Sequence, residues 1–433
     1  MKPGSDRSSD GAIWRAPVFS AARRCYGAGM SLADSPEALF RRAVDLQIAG
    51  SAAEAESLYL AAVGAGLGPD LLPDAHGNLG VLYRATHRLA EAEVALKTAI
   101  RLRSDWAAPH YNLGNLYSYQ RRLLDAEAAY LEALRIKPDH PKAPFNLGQI
   151  YLSQGRFAEG WPMYEARPDR TESPLMRVRV PEWTGQPLEG KSILVWREQG
   201  YGDEILMARY VPLLKAQGAR QVKIAPTLAM LRLFESLGGV DEVVTLVGDV
   251  QMPDVDYWVL PCSLPASLGT DDTLKSQGAY LSVPEAARAR WSGFGGPGFK
   301  VGFTWQGNPK QPNNFNRSMK GPELFNGLAD LGVEMIDLQE PRGDFADTAA
   351  ILEQLDLVIT VDTAMAHLAG ALDKPCWVVL AALGTCWRYP PPQQSVSPWY
   401  RSTTIYRQTT PGDWAEVFAR VRRDLAARIA PDV

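Results

Sequence analysis

The chain has 433 residues, 46% apolar and 22% charged, with a net charge of −4, which is length enough for two to three domains with sizeable cores. That balance gives no electrostatic drive towards nucleic acid or an anionic membrane surface, and no run approaches the roughly 20 apolar residues a membrane helix needs. Four cysteines, Cys25, Cys262, Cys376 and Cys386, lack CxxC or metal-like spacing, which points to reduced thiols in a cytoplasmic protein.

Residues 1–29 carry Arg7, Arg15, Arg23 and Arg24 without a continuous apolar core, unlike a secretory signal peptide. Residues 1–34 are expected to form a disordered tail, with Met30 as an alternative start. A repeat array follows over residues 35–170. Asn78-Leu79-Gly80, Asn112-Leu113-Gly114 and Asn146-Leu147-Gly148 stand 34 residues apart, as do Tyr83, Tyr117 and Tyr151. The pairs Ala92/Ala126 and Ala99/Ala133 keep the same period. Paired amphipathic helices with small residues at fixed places resemble the tetratricopeptide repeat. A degenerate unit with Ala43, Ala55 and Ala62 precedes them, and a last one dissolves after Trp161-Pro162. Such arrays offer a surface for protein partners; the alternative is that these repeats only rigidify the next domain.

Residues 171–190, with Pro181, Trp183 and Pro187, read as a linker. A first α/β half spans 191–292. Lys191 to Trp196 reads as a strand, Glu198-Gln199-Gly200-Tyr201-Gly202-Asp203 as a turn, and Leu206 to Ala216 as a helix. Gly200 and Gly202 are expected to allow positive φ or the close approach of a ligand, while two glycines alone make a weak dinucleotide fingerprint. Asp203 at the helix start has the alternative of a simple N-cap. Further strands are expected at Gln221–Ala225, Glu242–Leu246 and Val255–Leu260, and Asp271-Asp272 reads as a solvated loop.

Past the glycine-rich stretch 293–298, a second α/β half covers 299–430. A strand ends at Thr304-Trp305, and with the downstream Arg317 it suggests an anion clamp. A helix (Pro322 to Leu331), a strand (Glu334 to Leu338) and a helix around 347–354 come next. The most informative stretch is Asp356 to Pro375. Leu357 to Val361 reads as a buried parallel strand, Asp362 or Thr363 as a cap, and Ala364 to Ala371 as a helix. A helix N-terminus at the carboxyl end of a parallel strand favours phosphate. Thr363 and His367, four apart, share one helix face. The competing possibility is that His367 is a satisfied core histidine and Asp362 merely a cap. A closing helix from Trp414 to Ile429 is long enough to fold back across the first half.

Repeats joined to two such halves resemble bacterial repeat-bearing glycosyltransferases whose catalytic part is similar to the ADP-heptose:lipopolysaccharide heptosyltransferases. The motifs that carry the resemblance are Glu198 to Asp203, Trp305-Gln306-Gly307-Asn308-Pro309, Asn316-Arg317-Ser318, Asp344 to Ala349, Val361 to Gly370 and Ser397-Pro398-Trp399-Tyr400. It implies an α-helical superhelix followed by a GT-B fold of two Rossmann-like halves. It also implies a metal-independent, inverting transfer with no cofactor beyond a nucleotide-sugar co-substrate. Asp203 would be the general base. Thr304, Trp305, Asn308, Arg317, Ser318, Gln339, Asp362, Thr363 and His367 would hold the donor. A protein or glycan acceptor would be recruited by the repeats, with a surface or flagellar protein as one such partner. Two departures stand out: Cys386-Trp387-Arg388-Tyr389 replaces a usual Asp-Trp-Arg-Trp, and the segment from Gln339 to Asp344 is short. They leave an alternative open, an inactive transferase fold serving as a binding scaffold.

Overall fold

The computed structural model describes residues 35–171, 180–246, 253–269, 278–311 and 313–430. The expected tail and the Asp271-Asp272 loop lie outside the described residues. Chain contacts form two compact units. One holds the described residues up to Tyr117 together with Leu124–His140; the other holds Ser118–Leu123 and everything from Pro141 onward.

The first unit contains the helices α1 (Pro36–Ile48), α2 (Ala52–Gly64), α3 (Leu72–Ala85), α4 (Leu89–Leu102), most of α5 (Ala107–Tyr119) and α6 (Leu123–Ile136). The small residues of the 34-residue period explain the pairing. A Cβ added to Gly80 would lie 2.5 Å from Leu96, and one added to Gly114 would lie 2.6 Å from the Tyr130 ring. Each Asn-Leu-Gly glycine therefore lets the second helix of its pair close onto the first. Ala92, Ala99, Ala126 and Ala133 are fully buried at those contacts. The turns between paired helices share a left-handed residue at the same period: His87 (φ 61°), Arg121 (φ 60°) and Gly155 (φ 79°).

The second unit takes in α7 (Ala143–Ser153), α8 (Phe157–Tyr164) and two parallel sheets. The first sheet has the order β3-β2-β1-β4, with β1 Ser192–Trp196, β2 Gln221–Ala225, β3 Glu242–Val243 and β4 Tyr257–Val259. The second has the order β6-β5-β7-β8-β9, with β5 Lys300–Thr304, β6 Glu334–Asp337, β7 Leu357–Val361, β8 Cys376–Leu380 and β9 Thr403–Arg407. Every pairing within these sheets is parallel. Strand order reverses between β1 and β4 and again between β5 and β7. In open parallel sheets such switch points are where ligands bind.

Alternation along the strands feeds different cores. Ile193, Val195, Val358, Cys376, Val378 and Leu380 join one apolar cluster that runs through both halves. Leu194 belongs to a separate cluster on the other face of the first sheet. Leu357, Ile359, Val361 and Val379 face the cluster that buries Val417, Phe418, Val421 and Leu425. The closing helix Trp414–Ile429 thus packs on the second half instead of crossing back, because its apolar residues lie on one stripe that the second sheet covers.

Three further sequence readings change. The helix expected over 206–216 begins earlier and breaks, into Tyr201–Ala208 and Val211–Ala216, with Pro212 in the first turn of the second piece. The helix expected over 322–331 divides into one α-turn, Glu323–Asn326, and a 3-10 turn, Ala329–Leu331. Within the stretch read as a linker, Trp183 is buried and its N–H donates to the Trp258 carbonyl at 2.7 Å.

Candidate active site

At the carboxyl ends of β5 and β7 three hydroxyls form a chain. Thr304 and Thr360 are register partners, and their Oγ1 atoms lie 2.5 Å apart; Thr360 Oγ1 in turn lies 3.1 Å from Thr363 Oγ1. Thr363 has extended backbone, and its hydroxyl accepts from the Met365 N–H at 3.2 Å. Thr363 is therefore the N-cap of the helix Ala364–Ala371, and Thr304 is a buried member of the chain that steadies that cap.

Asp362, between strand and cap, turns towards the loops. Its Oδ1 accepts from the Tyr389 hydroxyl at 3.0 Å, and its carbonyl accepts from Arg317 Nη1 at 3.1 Å. Burial pushes its carboxyl up from the ordinary value, with Arg317 and Tyr389 pulling the other way. Arg317 packs over Gly307, where a Cβ would lie 2.5 Å from the guanidinium; only glycine leaves it that room. Ser318 Oγ accepts from the Gly307 N–H at 2.9 Å and donates to Asn314 at 2.7 Å. Gln339 Oε1 accepts from the N–H groups of Trp305 and Gln306 at 3.2 and 3.0 Å, so it shapes the loop after β5. Asn308 is exposed, its side chain accepting from the Lys310 N–H at 3.0 Å.

The other half contributes the turn after β1. Here the left-handed residue is Gln199 (φ 60°), while Gly200 is extended at φ −100°. Gly202 serves close approach, but to protein: a Cβ there would lie 2.8 Å from the His367 ring. His367 is 5% exposed and its Nδ1 lies 3.1 Å from the Tyr400 hydroxyl. Burial, with the Arg209 charge nearby, pushes its pKa down to about 3. That keeps it a neutral imidazole, packed against Gly202 of the first half. Asp203, in the first turn of the helix Tyr201–Ala208, is ion-paired with Arg388 of the second half.

Asp203 and Asp362 thus both meet the 384–390 loop, through Arg388 and Tyr389; Arg317 joins Asp362, and His367 packs on Gly202 beside Asp203, whereas Ser318 bonds to Gly307 and Asn314. Sequence reasoning missed the partners that hold them. Arg388 was visible only as part of a motif. Arg121, in a repeat turn, donates to the carbonyls of Thr385, Tyr389 and Pro390 at 3.2, 3.1 and 3.1 Å. A signal existed there: a bulky cation at a left-handed turn position, where small residues are favoured. Cys386, the departure from the expected acid, stands beside Asp362, and burial lifts its thiol well above the ordinary range. A second carboxylate at that place would face Asp362; the thiol is neutral.

Residues 111–166 match the tetratricopeptide repeat family model. Residues 334–382 match the model of glycosyltransferase family 9 (heptosyltransferase). The two matches thus place a tetratricopeptide-like stretch in the helical part and a glycosyltransferase family 9-like segment in the second α/β half. That segment runs from β6 to just past β8 and contains Gln339, Asp362, Thr363 and His367, whereas Asp203, Arg317 and Arg388 lie outside it. Protein FlbA of Caulobacter vibrioides is 28% identical over 330 residues, covering 63% of this chain and 53% of that protein. The chain thus spans about half the length of this curated relative. Among solved structures, a family 9 glycosyl transferase from Veillonella parvula is 12% identical with a TM-score of 0.40, covering 55% of this chain and 91% of its own. An O-GlcNAc transferase mutant from Thermobaculum terrenum is 13% identical with a TM-score of 0.35, covering 92% of each chain. Among the described residues no helix is long and apolar enough to cross a membrane.

Proposed function

We propose that the chain is a glycosyltransferase of GT-B type that moves a sugar from a nucleotide donor to an acceptor brought by the repeats. The observation that carries this reading is the meeting of Asp203 with Arg388 at the carboxyl ends of the two parallel sheets. The donor lies against the second half, its phosphates near Arg317 and the N-terminus of the helix Ala364–Ala371, where backbone N–H groups favour anions. The acceptor lies on the Asp203 side.

In the reaction an acceptor oxygen attacks the anomeric carbon and gives its proton to the Asp203 carboxylate. The carbon–oxygen bond to the donor phosphate breaks, and its electron pair leaves with the nucleotide. Arg317 and the helix N-terminus steady that charge, the work a metal does elsewhere. A single displacement inverts the anomeric centre. Arg388 must release Asp203 as the acceptor arrives, because one carboxylate cannot serve both at full strength.

One observation favours a second reading. With Asp203 paired and His367 buried, the same fold could stand as an inactive scaffold whose repeats do the binding. Incubating the full chain with UDP-, GDP-, ADP- and CMP-linked sugars separates the two. Nucleotide release from one donor class, lost in Asp203→Asn while a donor-induced rise in melting temperature survives, supports the enzyme. Neither release nor a thermal shift with any of the donors leaves the scaffold.

A further inference from the structure

The turn that presents Asp203 is unusual in where its left-handed residue falls. Gln199 adopts φ 60° although Gly200 stands next to it in extended backbone. A left-handed conformation is costly for a non-glycine residue, and persists only where its surroundings over-determine it. The surroundings here are specific. Glu198, directly before it, is 7% exposed and receives Arg167 through two bonds, Nε to Oε1 at 2.5 Å and Nη2 to Oε2 at 3.1 Å. The Cys262 N–H adds a third at 3.3 Å. Arg167 is fully buried, and is itself fixed by Glu165 at 2.8 Å and Ser263 Oγ at 2.7 Å. On the far side, the Gln199 side chain lies 3.4 Å from the Tyr164 hydroxyl.

Arg167 and Glu198 bond to none of the residues expected to hold the donor, and the proposed chemistry does not use them; at the edge of the network the Tyr164 ring packs on Trp387 at 5.4 Å and its hydroxyl feels the Arg388 charge. A fully buried guanidinium is expensive to desolvate, and an apolar residue of similar volume often packs as well or better. Stability alone therefore gives a weak reason for it. The geometry offers a better one.

We infer that Arg167 is a positioning residue: by gripping Glu198 it holds Gln199 in the left-handed turn that sets Asp203 against Arg388. Without the grip, Gln199 relaxes to negative φ, the first turn of the helix Tyr201–Ala208 rotates, and Asp203 leaves its place. The inference rests on the reading of Asp203 as the base.

The test replaces the pair together, Arg167→Met with Glu198→Gln, so that no buried charge is left alone. Nucleotide release from UDP-, GDP-, ADP- and CMP-linked sugars is followed on the full chain. In the double variant kcat is expected to fall about a hundredfold, the scale of an ångström-sized misplacement, with the donor KM unchanged. Adding Gln199→Gly, which takes positive φ without strain, is expected to restore at least about tenfold of that loss without restoring the melting temperature. A kcat that stays at the wild-type level, or a loss that glycine does not relieve, overturns the inference. Crystal structures of the wild type and the double variant decide it without activity: a Gln199 that keeps positive φ with Asp203 still on Arg388 overturns it, and a relaxed turn supports it. If the wild type releases nucleotide from none of the donors, the base reading falls while the structural arm still decides what holds the turn.

Discussion

Glu204 follows Asp203 in the chain yet lies buried among Val195, Ile224 and Phe234. Its Oε2 accepts from the Thr227 N–H at 3.0 Å, while its Oε1 has no hydrogen-bond partner among the described residues. Burial raises its pKa from the ordinary 4.5 to about 7. The folded state therefore holds this proton more tightly than the unfolded chain does. Its contribution to stability is complete below about pH 4.5 and is lost as pH rises through 7. The neutral isostere Glu204→Gln should match the wild type in urea midpoint at pH 4.5 and exceed it at pH 8. A difference that is the same at both pH values would show that Glu204 does not titrate in this range. Local roles of this kind were partly legible. A cap at Asp362 or Thr363 follows from their place between an apolar run and a helix, and the structure settles it on Thr363; the Asp203–Arg388 pair does not follow, because no local pattern links residues so far apart in the chain.

Among the elements, the contact that joins the halves is that of the helices Tyr201–Ala208 and Ala364–Ala371. Gly202 on one meets the His367 ring on the other, where a Cβ would come within 2.8 Å. Gly202→Ala must move either the His367 ring, itself held by Tyr400, or the helix. Overpacking of this kind costs about 1–3 kcal/mol. The expected outcome is a lower melting temperature together with loss of nucleotide release, since the same shift carries Asp203 away from Arg388. A variant with wild-type melting would mean the helices slide freely past each other. The repeats and strand cores were the easiest elements to read, because the 34-residue period and the β-branched runs are local signals. The helix at Tyr201 was placed too late, because Asp203 offered itself as a possible N-cap. The actual N-cap is Gly200, which has no side chain to make a cap bond, and Asp203 falls in the first turn. The closing helix was found at its full length but not its partner. An amphipathic stripe says that a face is covered, not which sheet covers it.

For the whole molecule, the two-sheet layout follows from alternating strand and helix patterns, whereas the joining of the halves follows from tertiary packing that no single segment encodes. The halves share one apolar cluster, and an ionic seam also joins them. Arg232 of the first half donates to Asp344 at 2.6 Å and to Asp347 at 2.6 Å. Asp347 is 2% exposed and also accepts from Arg290 at 3.1 Å and the Trp291 indole at 2.9 Å. The two ends of this seam differ in what they leave behind when cut. Arg232→Ala removes a partly exposed cation while Asp347 keeps two donors, so its cost should be small, about 1 kcal/mol. Asp347→Ala removes a buried acceptor and leaves the Trp291 N–H without its partner, a loss of about 2–4 kcal/mol. Hydrogen exchange on the full chain reads the consequence across the molecule. If the seam and the shared core make the halves one cooperative body, Asp347→Ala should raise exchange in β1 and β7 alike, by the same free energy. Faster exchange confined to the helix Phe345–Glu353 and its neighbours would mean instead that each half holds itself together, with the seam as a local clasp.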